Sequence, residues 1–174
     1  TAFNYHPDKL GLNHRTNLYY IETADFGQSW TTVDGQEVAI PLKEVQNPAL
    51  VHDYQAEGRL AYMKDINYDA SGHPLILHVT SGGWEPGPEN APRTWRIAQW
   101  TGEQWRFHDV TTSDNNYDTG CLQVDPEGVW RVIGPTETGP QPYNPGGEIA
   151  VWVSADQGET WRLEGQLTAG SAYN

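Results

Sequence analysis

Two carboxylates stand in the same eight-residue frame: Asp25 in Thr23 to Trp30, TADFGQSW, and Asp156 in Ser154 to Trp161, SADQGETW. Positioned acids are the equipment of general acid–base chemistry, so the first question is whether these two act on a substrate. The surrounding residues point elsewhere. Asp accepts hydrogen bonds from the backbone N–H groups of a turn, Gly supplies a positive φ, and Trp packs beneath. A third copy, Ala98 to Trp105, AQWTGEQW, keeps Gly-x-x-Trp and loses the acid, a decay that suits a folding device. Other residue types suited to chemistry are His6, His78, Arg15, Arg93, Tyr117, Trp84 and Tyr143. Arg-Thr occurs at both Arg15 and Arg93. Aromatic faces can stack on sugar rings, where C–H groups meet the negative face of the π-system.

The elements that position these residues are short strands. Each copy of the frame follows an alternating segment (NLYYIE, TWRIAQ, EIAVWV) and precedes another (SWTTV, QWRFHDV, TWRLEGQL), which places each on a β-hairpin turn. The pattern predicts strands near 59–67, 74–80, 94–100 and 104–110, then near 117–124, 128–134, 148–154 and 160–167. An incomplete first unit holds AFNYH, RTNLYYIET and a final strand at SWTTV. A four-stranded meander recurring with one hairpin motif per unit is the signature of a β-propeller. The expected fold is therefore all-β, a propeller segment of about two and a half antiparallel blades: 1–57 a partial blade, 58–111 and 112–174 full blades. Composition agrees, because 18 Gly and 12 Pro punctuate strands rich in Trp and Tyr.

Ten Lys+Arg against 23 Asp+Glu give a formal charge of −13, which repels nucleic acid and anionic membranes at long range. No stretch is apolar for long enough to span a bilayer as a helix. The first residues lack a signal-peptide pattern and begin at Thr rather than Met, which suggests a processed or excised product, secreted or periplasmic. Cys121 is the lone cysteine; it is expected to be a small buried strand residue, and neither a metal nor a cofactor is expected.

TADFGQSW and SADQGETW resemble the Asp-boxes, or bacterial neuraminidase repeats, of sialidase-like propellers. The runs RTNLYYIETADFGQSW, YMKDINYDASGHPLIL and WRVIGPTETGPQPYNPGGEIAVWVSADQGETW resemble the repeat family that includes ulvan lyases and the lyases and hydrolases of rhamnose–glucuronate linkages. That resemblance implies a seven-bladed ring, so further blades are expected from missing sequence, another chain or a symmetry mate. It also implies a polysaccharide partner carrying uronic acid, cleaved by β-elimination.

In such a blade the Asp-box turns join strands three and four. Loops 81–93 and 135–147 and the crossover 111–118 then gather on the opposite face, where function is expected to concentrate. By this topology His6, His78, Arg15 and Arg93 share that face, Tyr117 opens an inner strand, and Trp84 and Tyr143 lie on the long loops. If the family's chemistry applies, Arg93, His78 and Tyr117 are the catalytic candidates: the arginine neutralises the C6 carboxylate, and His or Tyr takes the C5 proton and protonates the leaving oxygen. Trp84, Tyr143, Arg15 and His6 are the substrate-binding candidates. Each has a competing structural reading, as a strand histidine, a loop cross-link or a loop cover. Two other functions compete with the lyase: a sialidase-like or rhamnosidase-type glycoside hydrolase, and a non-catalytic carbohydrate- or protein-binding propeller.

Overall fold

Alternating strands and turns fill the computed structural model of the chain, which describes residues 1–7 and 9–172. The strands among the described residues are β1 (Ala2–Tyr5), β2 (Thr16–Tyr20), β3 (Leu50–His52), β4 (Leu60–Tyr68), β5 (Pro74–Ser81), β6 (Arg93–Trp100), β7 (Trp105–Ser113), β8 (Cys121–Val124), β9 (Trp130–Glu137), β10 (Glu148–Ser154) and β11 (Arg162–Gln166). They form three antiparallel meanders in chain order, β1-β2-β3, β4-β5-β6-β7 and β8-β9-β10-β11. No helix among the described residues is long and apolar enough to cross a membrane.

The central sheet is covered on both faces, which explains why β5 is buried at every position, His78, Thr80 and Ser81 included. Leu75, Leu77 and Val79 point towards the third sheet, with Trp95, Trp130 and Val132 in the same core. Ile76 faces the first sheet, with Leu18, Tyr20 and Tyr54. Gly134 admits the Trp95 ring: a Cβ there would lie 2.7 Å from its Cη2, so a larger residue would wedge the sheets apart. Where β4 and β8 adjoin, side chains occupy the backbone of Leu122. Its N–H donates to Asp65 Oδ2 at 2.8 Å, and its carbonyl accepts from Asn67 Nδ2 at 2.8 Å. The inner edge of the third sheet is thereby bonded to the second rather than left open.

Three expectations need correction. The final strand of the first unit is not SWTTV, which makes only isolated bridges, Glu22 to Thr31 and Thr31 to Glu37. The chain turns at Asp34-Gly35, runs on through Pro41 and Pro48, and returns as β3 to pair with β2. Val38, Leu42 and Ala49 of that excursion cover Tyr19 and Ile21 on the outer face of the first sheet. Next, Tyr117 does not open a strand. Asp118 Oδ2 accepts the Asn115 N–H and Asn115 Oδ1 accepts the Tyr117 N–H, side-chain bonds that hold a turn and delay β8 to Cys121. Finally, Cys121 is exposed rather than buried, because strand alternation turns Leu122 into the core and its neighbour outwards.

Candidate functional site

The repeated frames are hydrogen-bonded turns, closely alike in geometry. In the first, Asp25 Oδ1 accepts the Ser29 N–H at 2.9 Å and Oδ2 the Ser29 hydroxyl at 2.7 Å, while Thr23 Oγ1 accepts the Gly27 N–H at 2.8 Å. In the second, Asp156 Oδ1 accepts the Thr160 N–H at 2.9 Å, Oδ2 the Thr160 hydroxyl at 2.5 Å, and Ser154 Oγ the Gly158 N–H at 2.8 Å. These bonds hold both carboxyls at about 2, far below a poised general acid. In the decayed copy Thr101 Oγ1 accepts the Gln104 N–H at 3.2 Å, taking over part of the role.

On the opposite face four loops are tied together. The Tyr117 hydroxyl donates to Asn13 Oδ1 at 2.5 Å, Asn116 Nδ2 to the Gly83 carbonyl at 2.7 Å, Asn115 Nδ2 to the Tyr143 carbonyl at 2.6 Å, and the Gly146 N–H to Asp118 Oδ1 at 2.9 Å. Asp118 is fully buried, and burial pushes its carboxyl up to about 6. At the centre, the Arg15 guanidinium lies 5.6 Å from the Tyr62 ring centroid and 5.7 Å from that of Tyr117, over two rings that meet edge to face at 5.3 Å. The Tyr62 hydroxyl donates to the Asn13 carbonyl. Lys64 Nζ donates to the Asn116 carbonyl at 2.6 Å. Beside this cluster a cleft of about 340 Å³ is lined by His14, Arg59, Leu60, Gly83, Trp84 and Asn90 among others, room for a sugar ring.

The structure brings together Arg15 and Tyr117 from the expected set, and Trp84 lines the cleft that His14 also borders. It does not bring in His78, which is wholly buried in mid-strand. Its Nε2 lies 2.7 Å from the Tyr54 hydroxyl and its Nδ1 3.1 Å from the Ile76 carbonyl, and burial lowers it to about 4. Arg93 is 1 % exposed and spends its guanidinium on the Gly87 and Glu85 carbonyls at 3.0 and 2.9 Å, bracing the 82–92 loop. Both are strand residues whose direction follows sheet alternation, and alternation turns them inwards. His6 is exposed beyond β1, and the cleft is lined by its neighbour Pro7 instead. Tyr143 is exposed, anchored through its backbone to Asp114 and Asn115.

Asn13, His14, Tyr62, Lys64 and Asp118 were missed. The available signal was Tyr62 and Lys64 at alternate positions of a predicted inner strand, where side chains share a face. A cavity of about 570 Å³ opens on the turn face, where Asp69, Glu103, Asp156 and Glu159 outnumber Arg106 and His73, a balance that disfavours an anionic glycan. Among the described residues no group of three or more His, Cys, Asp or Glu is placed to hold a metal ion.

Three stacked meanders with a turn face and a loop face define a β-propeller segment. A model of the BNR repeat-containing family matches residues 6–113, more than half of the chain, and the chain belongs to that family. No curated protein matches it. The fold is similar to two solved structures of a polysaccharide lyase, a PL25 ulvan lyase, one of them bound to -[GlcA(1-4)Rha3S]-. In each case the TM-score is 0.65 and the identity 21 %, over 89 % of this chain and 34 % of the other. The chain thus spans about a third of the length of these structures.

Proposed function

We propose that the chain forms the glycan-engaging part of a polysaccharide lyase that cleaves uronic-acid-containing glycans by β-elimination. The observation that carries this reading is Arg15 held over Tyr62 and Tyr117 beside the Trp84 cleft. Arg15 pairs with the C6 carboxylate and lowers the cost of charge developing there as the C5 proton leaves. Tyr117 of the cluster and His14 of the cleft are the groups suited to take that proton and to protonate the leaving oxygen. The C4–O bond breaks, the C4–C5 double bond forms, and the departing oxygen keeps the delivered proton. Trp84 offers an aromatic surface to the neighbouring sugar.

The roles first assigned to Arg93 and His78 pass to Arg15, Tyr117 and His14, because both strand residues are buried. Such polymers are extracellular, so the protein acts as a secreted or periplasmic one. The remaining blades come from further sequence, another chain or a symmetry mate. A well-folded monomer of this chain in sedimentation would overturn that last point.

Incubation with ulvan, watching the ultraviolet band of an unsaturated uronate, tests the activity. An absorbing product supports the lyase. Reducing ends without absorbance indicate a glycoside hydrolase, and binding without either product indicates a non-catalytic propeller.

A further inference from the structure

We infer that Lys64 is a second cation of the glycan site, placed with Arg15 to grip the carboxylate of a uronate, and that this grip weakens as the medium turns alkaline. The inference rests on the glycan reading above. Its starting point is an imbalance. Among the described residues Arg96, Arg106 and Arg131 are the Lys and Arg side chains that hold a carboxylate within 4 Å, and Arg15 and Lys64 are two of the seven that hold none. These two lie together: the Arg15 guanidinium is 5.6 Å and Lys64 Nζ 5.8 Å from the same Tyr62 ring centroid. One ammonium hydrogen of Lys64 goes to the Asn116 carbonyl at 2.6 Å, and the other two remain for a ligand.

Two adjacent cations that share a ring, with no carboxylate in ion-pair contact, are a costly arrangement for the fold alone, since like charges repel and burial strips the ammonium of water. A carboxylate entering between them removes both penalties. The neighbouring acid offsets only part of this cost: Asp118 turns its oxygens to the N–H groups of Gly146 at 2.9 Å and Asn115 at 3.2 Å and holds neither cation in an ion pair.

The groups facing Lys64 set the direction of the pH response. They are Tyr62 on β4, Arg15 from the β1–β2 loop, and Asn116, Tyr117 and Asp118 from the crossover. Burial lowers the Lys64 ammonium to about 8, the Asp118 charge works against that shift, and Arg15 adds to it. Lys64 is therefore charged below about pH 8 and neutral above, while Arg15 stays charged and a uronate stays ionised throughout. Asp118, raised to about 6, adds a competing negative charge above that pH. Both titrations weaken anion binding as pH rises.

The test is calorimetric binding of an ulvan oligosaccharide, and of its carboxyl-reduced form, at pH 6.5, 7.5 and 9 and fixed ionic strength. The wild-type protein should bind the acidic oligosaccharide about 10-fold more weakly at pH 9 than at 6.5 and the reduced form weakly at every pH. Lys64→Arg should keep the affinity and flatten the profile above pH 7.5. Lys64→Gln should bind about 10-fold more weakly at pH 6.5, yet melt about 5 °C higher, since it no longer buries an ammonium. A purely structural lysine gives the opposite pair: a lower melting temperature and unchanged binding. Lys64→Gln binding like the wild type at every pH overturns the inference alone. Failure of the wild-type protein to bind the oligosaccharide overturns the glycan reading and this inference together.

Discussion

The two faces of the propeller segment are built on different principles. On the turn face Asp25 and Asp156 are consumed by their own turns. Every bond of Asp25 and Asp156 described above runs to a residue within four positions, and the same set of bonds recurs in both copies. On the loop face the bonds are long-range and unrepeated: Tyr117 reaches Asn13 across 104 positions, and Lys64 reaches Asn116 across 52. The cavity on the turn face is the larger of these two, at about 570 Å³ against 340 Å³, yet four acids line it against Arg106 and His73, while His14 and Arg59 line the smaller one with Glu85. Repetition here marks construction. The residues available to a ligand are those that break it.

The sharpest break of this contrast is Arg15→Ala. It should reduce cleavage or binding of ulvan by about 1,000-fold, with the circular dichroism spectrum unchanged, while Asp156→Ala should leave binding intact. Equal losses in the two variants would erase the distinction between the faces.

The core beneath both faces supplies the next effect. His78 is neutral in the fold down to about pH 4 and takes a proton near 6.5 in the unfolded chain. Its stabilising contribution is complete above pH 6.5 and is lost as pH falls through 4. The loss is on the order of 3 kcal/mol. Urea unfolding at pH 7, 5 and 4 should show this step in the wild type and not in His78→Gln. Asp25 and Asp156, at about 2, titrate below that window.

Within the turn face, the two glycines of the frame sharpen the picture. Both need a positive φ, +86° at Gly27 and +89° at Gly158. A Cβ on Gly27 meets Trp30 at an ordinary 3.5 Å, but on Gly158 it lies 2.8 Å from the Trp130 ring and 2.9 Å from His108. Gly27→Ala should cost about 1 kcal/mol from backbone strain alone, and Gly158→Ala about 3 kcal/mol once overpacking is added. Thermal unfolding of the two variants measures the difference. The smallest effect is expected at Arg106→Ala, which removes an ion pair to Glu159 with both partners more than half exposed. Stability should move by no more than about 0.5 kcal/mol.

Much of the fold was legible because it depends on short-range rules. Alternation marked β6 and β10, and the Gly-x-x-Trp frames marked the hairpins. The first unit misled because SWTTV has strand character, while its place beside β2 is taken by Leu50–His52. That choice depends on packing of the 34–49 excursion over Tyr19 and Ile21, which no local pattern carries. The site was legible in part: Arg15, Tyr117 and Trp84 could be placed on the loop face, whereas His78 and Arg93 could not be told from inward-facing residues.

From the chain alone come the all-β class, the repeating meander, the roles of Asp25 and Asp156 as turn builders, and the net charge of −13. These follow from interactions within a few residues or from totals over the whole molecule. The tertiary structure decided which cations stay unpaired and which arginine braces a loop. It also decided that Lys64 and Arg15 meet over one tyrosine ring. Those outcomes depend on which distant segments share a volume, and burial, not residue type, then sets whether a charged group is a structural tie or a ligand for another molecule.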